Sequence, residues 1–528
     1  MRGPWRSVVI SSAFEEPAAR PVQVAEMIIE KARRLLEHKR DAPILLDCIT
    51  HLARLQHDCS ALGQDALRGV DTNAVSSRSP PLRLGAQHRR RRVPDCHDHM
   101  ESYSVANFVI LHDRDLFLEK PLMRCLLSIL AFAVCTAGPT LYAQKPKTLT
   151  QHYLFAWSGD RALQSKDFLA VIDADPSSPT YGHLLTTLVT DQTTLRVHHT
   201  EYTMPESGML FANDHEAGRT FIFDLRAPLH PRIVASFTDM AGYMHPHSYL
   251  RLSNGHVLVT FQRSHASMHS GSVGKTGGLV EIDDKGMLIR SASSADPAFP
   301  DAWLTPYSLV ALPEIDRVVS TNSSMEDEGI FRGVTYQVWR LSDLKLLSTN
   351  YLDVGENRYA QISPEEPRRG PDGSVFVQTL GCGLERITGI ASDHPTSRLV
   401  YTFPGDWCGV PTIVGHFLIE TAFYVHTVIV LDIADGAKPV EVSRVKLDDN
   451  YYPHWSGWDA ITNRIVITPG REGKSRLYLL TFDPNSGILK MDESFRDTDG
   501  NIGFNFENRQ WPHGWKGTGS PHGAVFSR

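Results

Sequence analysis

Cysteine is scarce in this chain where chemistry would need it. Seven occur, and five of them (Cys48, Cys59, Cys96, Cys125 and Cys135) precede residue 143. Only Cys382 and Cys408 follow, at a spacing that fits no zinc pattern built on cysteine. In an exported domain two cysteines can form one bridge; two unpaired thiols or a soft-metal site are the alternatives, and spacing alone leaves all three open. Long apolar runs are missing too. Nothing after Ala143 approaches the about 20 apolar residues that span a bilayer, so no membrane partner is expected for the mature protein. Excess positive charge is also lacking. Lys and Arg number 53 against 60 Asp and Glu, a net charge of −7, which leaves no polybasic face for nucleic acid or anionic lipid. The basic run His88-Arg89-Arg90-Arg91-Arg92 lies far upstream of the patterned region.

The first 143 residues read differently from the rest. Residues 1–105 are rich in Arg and His and carry little periodicity beyond an amphipathic stretch from Val22 to Leu55. Met123-Arg124 then leads into the apolar run Cys125 to Val134 and on to Leu141-Tyr142-Ala143. A charged start, a short apolar core and small residues at the end are the layout of a secretory signal peptide. A core helix of a larger N-terminal domain is the competing reading. The pattern predicts a signal peptide over 123–143, and a periplasmic or secreted protein. It also predicts an extension over 1–122 that is disordered or lies upstream of a true start at Met123.

Helical periodicity is the last absence. After Ala143, runs of four to eight alternating or β-branched residues recur, broken by Gly, Asn, Asp and Pro. Examples are Thr220 to Asp224, His256 to Phe261, Thr427 to Asp432 and Arg464 to Thr468. Turn pairs such as Asn254-Gly255 and Asp372-Gly373 join neighbouring runs as hairpins require. A domain of roughly 385 residues is long for one globular core and points to a repeat or closed architecture.

A short phrase marks the repeat. Pro246-His247, Pro306-Tyr307, Pro411-Thr412, Pro453-His454 and Pro521-His522 each sit just before an apolar strand. His198-His199 and Pro364-Glu365 occupy the equivalent places in two other groups. Seven units of four strands follow from this register. The first unit lacks its leading strand, and the last strand of the chain, after Pro521, can supply it. The expectation is an all-β, seven-bladed β-propeller over 144–528, closed by its C-terminal strand.

Equivalent positions of a propeller meet around one axis. His198 or His199, His247, His454 and His522 would then form an arc from four consecutive blades. Imidazoles in this number suit copper or zinc, whereas carboxylates would favour magnesium or calcium. Glu201 and Glu365 fall close enough in register to act as a base or to support the ligands. His245 competes with His247, and Met244 could add a thioether. His265 and His269, with His256 nearby, form a weaker second group in a Gly/Ser-rich loop. A metal-free polar pocket, incidental histidines and a non-enzymatic binding or scaffold propeller are the alternatives. A lactonase-type hydrolase would need a ring of carboxylates and Asn for a hard cation, and Glu201, Glu365 and Asn213 do not recur in register.

The segment Asp167-Phe168-Leu169-Ala170-Val171-Ile172-Asp173-Ala174-Asp175-Pro176-Ser177-Ser178-Pro179-Thr180-Tyr181-Gly182 resembles the opening of the selenium-binding proteins, the family that includes methanethiol oxidases. His198-His199, Pro246-His247, Gly255 to Val259 and Tyr336-Gln337-Val338-Trp339 are similar to later segments of that family. The resemblance implies an exported propeller that binds copper through histidines and oxidises a small thiol with dioxygen. It carries over His198, His199 and His247; His454 and His522 rest on register alone. Leu250 and Arg251 stand where the family carries a histidine and a cysteine, and its selenium-associated cysteine pair is absent from the matching region.

Overall fold

The computed structural model describes residues 151–265, 275–325, 332–353, 358–392 and 394–528. The signal peptide and extension expected before residue 144 lie outside them, as does His269. The chain divides into two units, Met1–Thr148 and Leu149–Arg528, and the second is a β-propeller.

Among the described residues seven antiparallel sheets make up the ring. Blade one is ordered, from the axis outward, Gly519–Phe526, Tyr153–Asp160, Lys166–Asp173 and Leu184–Thr193. The last strand of the chain therefore completes the first blade, as the sequence predicts, so that every blade has at least four strands. The innermost strands of blades two to seven are Val197–Thr200, Tyr243–Arg251, Pro306–Leu312, Pro364–Arg369, Thr412–Val414 and Tyr451–Asp459. Blade seven adds a short fifth strand, Phe504–Asn505.

Burial explains the strand pattern. The middle strands are covered on both faces by neighbouring blades, so they read as unbroken apolar runs. Arg219–Asp224 and Thr427–Asp432 are examples. Outer strands face solvent on one side and alternate, as Arg232–Phe237 does. The core is a set of clusters wedged between blades. Leu258 and Leu279 of blade three pack with Leu309 and Val318 of blade four. Ile419 and Val430 of blade six pack with Ile465 and Leu480 of blade seven. The closing wedge joins Val466 and Leu479 of blade seven to Leu154, Phe168 and Ala524 of blade one.

The recurring Pro phrase has a structural cause. Proline has no N–H to give to the ladder and is tolerated at a bulge. The pairing of the innermost strand slips between Pro246 and Tyr249, between Pro306 and Leu309, and between Pro364 and Pro367. It also slips from Pro453 to Trp455 in blade seven and beside Pro521 in blade one. Blade two slips between Val197 and Thr200 without a proline. A bulge breaks strict alternation and re-aims side chains. Consecutive residues such as His198 and His199, or Glu365 and Glu366, are therefore both buried. The open question about Cys382 and Cys408 resolves as a disulfide, which ties blade five to the loop before blade six.

Candidate metal centre

The expected histidines converge where the innermost strands begin. His198 stacks on His199 with ring centroids 4.2 Å apart, and lies 4.2 Å from His522 and 4.6 Å from His247. His454 joins through His522 at 4.7 Å. His198, His199 and His522 are buried, and each can offer one nitrogen such that all three nitrogens lie within 4.8 Å of one another. They form the one group of three or more His, Cys, Asp or Glu side chains among the described residues that meets this test.

Hydrogen bonds set which nitrogens are free. A carbonyl can only accept, so the 2.8 Å contact from His247 Nδ1 to the Tyr307 carbonyl places a proton on Nδ1. The Nε2 lone pair of His247 then faces His198 Nε2 at 2.9 Å. Orientation of a ring by a backbone carbonyl is the arrangement that metal-ligating histidines use. His199 Nδ1 bonds Ser248 Oγ at 2.9 Å, while His199 Nε2 is buried without a hydrogen-bond partner. His522 Nδ1 is likewise buried and unpartnered. Orphaned buried polar atoms are costly in a finished core, and here they point among other imidazoles. The residues therefore fit a transition-metal ion.

Burial pushes the pKa values of His198, His199, His247 and His522 well below the usual imidazole range. The nearby imidazoles His199, His522 and His247 add to this at His198. His454, half-buried beside Arg196, is pushed down to about 4, chiefly by burial. The rings are thus neutral near pH 7, the form that binds metal.

The floor of the site is aromatic. Tyr202 stacks on Trp455 at 5.2 Å, Trp455 lies 5.3 Å from His199, and the Arg368 guanidinium sits 4.0 Å over the Tyr202 ring. Half-buried His454 and His245 lie towards the strand-start face. A cavity of about 900 Å³ occupies the other face, where Arg251, Asp459 and Phe526 end their strands.

The remaining candidates separate from this cluster. His245 has a positive φ of 57° and contacts the His215 carbonyl at 3.2 Å, so His247 is the member that reaches the cluster. Glu201 accepts two 2.9 Å bonds from Arg251 and one from the Phe211 amide. Burial, opposed by Arg251, pushes its carboxyl up to about 7. Glu365 is buried with Gln378 at 3.4 Å, and burial followed by the Glu366 charge pushes it well up. His265 pairs with Asp239 in the open, and His256 with Glu281.

Two buried residues escaped the sequence reading as members of the site. His215, which the sequence offers only as one histidine among many, lies 5.4 Å from His247 and 5.8 Å from His198, ring to ring. Glu366 comes within 3.7 Å of His199. Alternation along a strand would send Glu366 away from Glu365, and only the bulge turns both inward.

No known family profile matches the chain. Among curated proteins, transcription termination factor Rho of Allochromatium vinosum is 59% identical over 71 residues, 13% of this chain and 17% of that protein. Rho of Chromobacterium violaceum is 58% identical over 71 residues, with the same coverage. The chain thus spans about one sixth of the length of these relatives, and the match shows no family for the propeller. Among solved structures, a hypothetical selenium-binding protein from Sulfolobus tokodaii aligns with a TM-score of 0.57 and 14% identity, covering 71% of this chain and 94% of its own. A periplasmic gluconolactonase of Pseudomonas aeruginosa aligns with a TM-score of 0.49 and 11% identity, over 72% of this chain and 99% of its own. The first of these shows a shared fold; the second carries no argument.

Proposed function

We propose that this propeller is a metal-dependent oxidoreductase. Its ion, copper, is held by His198, His199 and His522, with His247 and His454 beside them. The observation that carries the reading is the buried histidine trio with nitrogens within 4.8 Å. Five buried neutral rings, His198, His199, His215, His247 and His522, some with orphaned nitrogens and with half-buried His454 beside them, make little sense as packing and good sense as a ligand set. The choice of copper and of a small thiol as substrate rests on the resemblance to selenium-binding proteins and methanethiol oxidases; export to the periplasm or medium rests on the signal-peptide layout of residues 123–143. For methanethiol the balanced reaction takes one thiol, one dioxygen and one water to formaldehyde, hydrogen peroxide and hydrogen sulfide.

When bound, copper supplies the electron-transfer chemistry. The chain's own residues do the rest. The Tyr307 carbonyl and Ser248 fix the rings of His247 and His199. The Tyr202–Trp455 stack closes the floor and excludes water from it. Glu201, the acid–base candidate of the sequence, is paired with Arg251 and stands apart from the histidines, so it has no role at the ion.

The test is elemental analysis of the protein expressed from Met123 and recovered from the periplasm of an expression host, followed by methanethiol turnover with peroxide and sulfide detection. One copper per chain and release of both products are expected. Metal-free protein would instead support a non-enzymatic binding propeller. A copper-loaded protein that releases neither product would refute thiol oxidation.

A further inference from the structure

We propose that Glu366 is a carboxylate ligand to the same ion, reaching it across the channel from blade five; this rests on the metal reading above. Its Oε1 lies 3.7 Å from His199 Nε2, and both side chains are fully buried. Neither atom has a hydrogen-bond partner. The separation is too long for a hydrogen bond between them. It is close to the roughly 3.4 Å that two ligands about 2.1 Å from one tetrahedral ion keep between themselves. Glu366 stands outside the histidine trio whose nitrogens lie within 4.8 Å of one another, so His199 is the ligand it adjoins, and His198 and His522 must close on it when the ion binds.

The other oxygen explains why Oε1 is free. Glu366 Oε2 accepts from Tyr202 at 2.6 Å, Ser308 at 2.8 Å and Arg368 Nη1 at 3.1 Å. Three donors from blades two, four and five pin the carboxyl, so Oε1 has one direction left. Arg368 already balances the charge of Glu366, so a protonated His199 is not needed to neutralise it. The arrangement has the form of a ligating carboxylate with its second oxygen held by neighbours.

The consequence is ion selectivity. A set of imidazoles alone accepts cuprous ion readily. Adding a carboxylate hardens the site and favours a divalent ion, Cu²⁺ or Zn²⁺. The substitution Glu366→Gln keeps the size and removes the charge.

The test is chelator-competition titration of the full chain and of Glu366→Gln with Cu²⁺, Zn²⁺ and Cu⁺, beside the EPR spectrum of the Cu²⁺ form. Glu366→Gln is expected to weaken both divalent ions by about 10- to 100-fold, to change Cu⁺ affinity by less than about threefold, and to alter the EPR spectrum. Unchanged divalent affinities in a variant whose parent binds the ion overturn this inference alone. A parent that binds none of the three ions overturns the metal reading and this inference with it. If Glu366→Gln does not fold, Glu366→Asp decides: it keeps the charge but falls short by one methylene, and an unchanged Cu²⁺ affinity and spectrum overturn the proposal.

Discussion

Asp167→Asn should stabilise the propeller, and by an amount that grows with pH. Asp167 is the second residue of the second strand of blade one, Lys166–Asp173, and is fully buried. Burial, and then the neighbouring Asp214 carboxylate, push its carboxyl up from 3.8 to about 8. Asp214 cannot turn away, since it accepts the amides of Leu195 and Arg196 at 2.7 and 2.8 Å. The sign follows from proton counting. Between about pH 4 and pH 8 the unfolded chain has released this proton and the folded one keeps it. Stability is therefore complete below pH 4 and falls by about 1.4 kcal/mol per pH unit up to pH 8. At pH 7 the ceiling on the cost is about 4 kcal/mol, with the attraction of Arg219 already included in the shift to about 8.

Asparagine has the shape of the protonated acid and does not titrate. The gain from Asp167→Asn should thus rise by roughly 3 kcal/mol between pH 5 and pH 7.5. The unit Leu149–Arg528 has 380 residues, so its unfolding entropy is about 0.8 kcal/mol/K and the rise corresponds to a Tm difference of about 4 °C. The assay is thermal unfolding of chelator-treated wild type and variant at both pH values. Glu201 and Glu385, also raised to about 7 and 8, titrate in both proteins and cancel in the comparison. A gain that is the same at pH 5 and pH 7.5 would refute the reasoning.

Other perturbations probe other parts of the molecule. The Cys382–Cys408 bridge closes a separation of 26 residues, which the chain-entropy treatment values at about 3.5 kcal/mol; Cys408→Ser should lower Tm by about 4 °C, and a reductant should do the same to the wild type but not to the variant. Deleting everything after Thr518 removes the inner strand of blade one and His522, so circular dichroism should show no cooperative melt, and a synthetic 519–528 peptide should restore part of it. His198→Ala or His522→Ala should weaken copper binding by tenfold or more in chelator competition, whereas His454→Ala, half-buried and outside the tight trio, should weaken it less. Gly409→Ala would place a Cβ 2.0 Å from the His454 carbonyl; its Tm should fall by about 1–4 °C, as expected for about 1–3 kcal/mol of overpacking.

The ring was legible in the sequence because its physics is repetitive. Every blade needs a strand buried on both faces, a turn and an alternating outer strand, and each demand writes itself into local composition. The closure was legible for the same reason: a first group short of one strand and a final strand without a group are complementary defects. The histidine register could be read because a proline at a bulge is a strong local signal. Which thiol state Cys382 and Cys408 adopt could not be read. That depends on the distance between two blades, which no local pattern records.

Glu366 shows where such reading stops. Its sequence context, Pro364-Glu365-Glu366-Pro367, offers two carboxylates, and strict alternation allows only one to face the channel. The register slip between Pro364 and Pro367 places both inside. The same device in blade two buries His198 and His199 together, although there no proline announces it. What distinguishes Glu366 from Glu365 then comes from other blades. Tyr202 and Ser308 claim one oxygen of Glu366 and leave the other facing His199. Glu365 keeps to its own blade and Gln378. A residue's register can thus be inferred from its own strand, but its role is assigned by side chains more than 50 positions away, and only the closed ring brings them together.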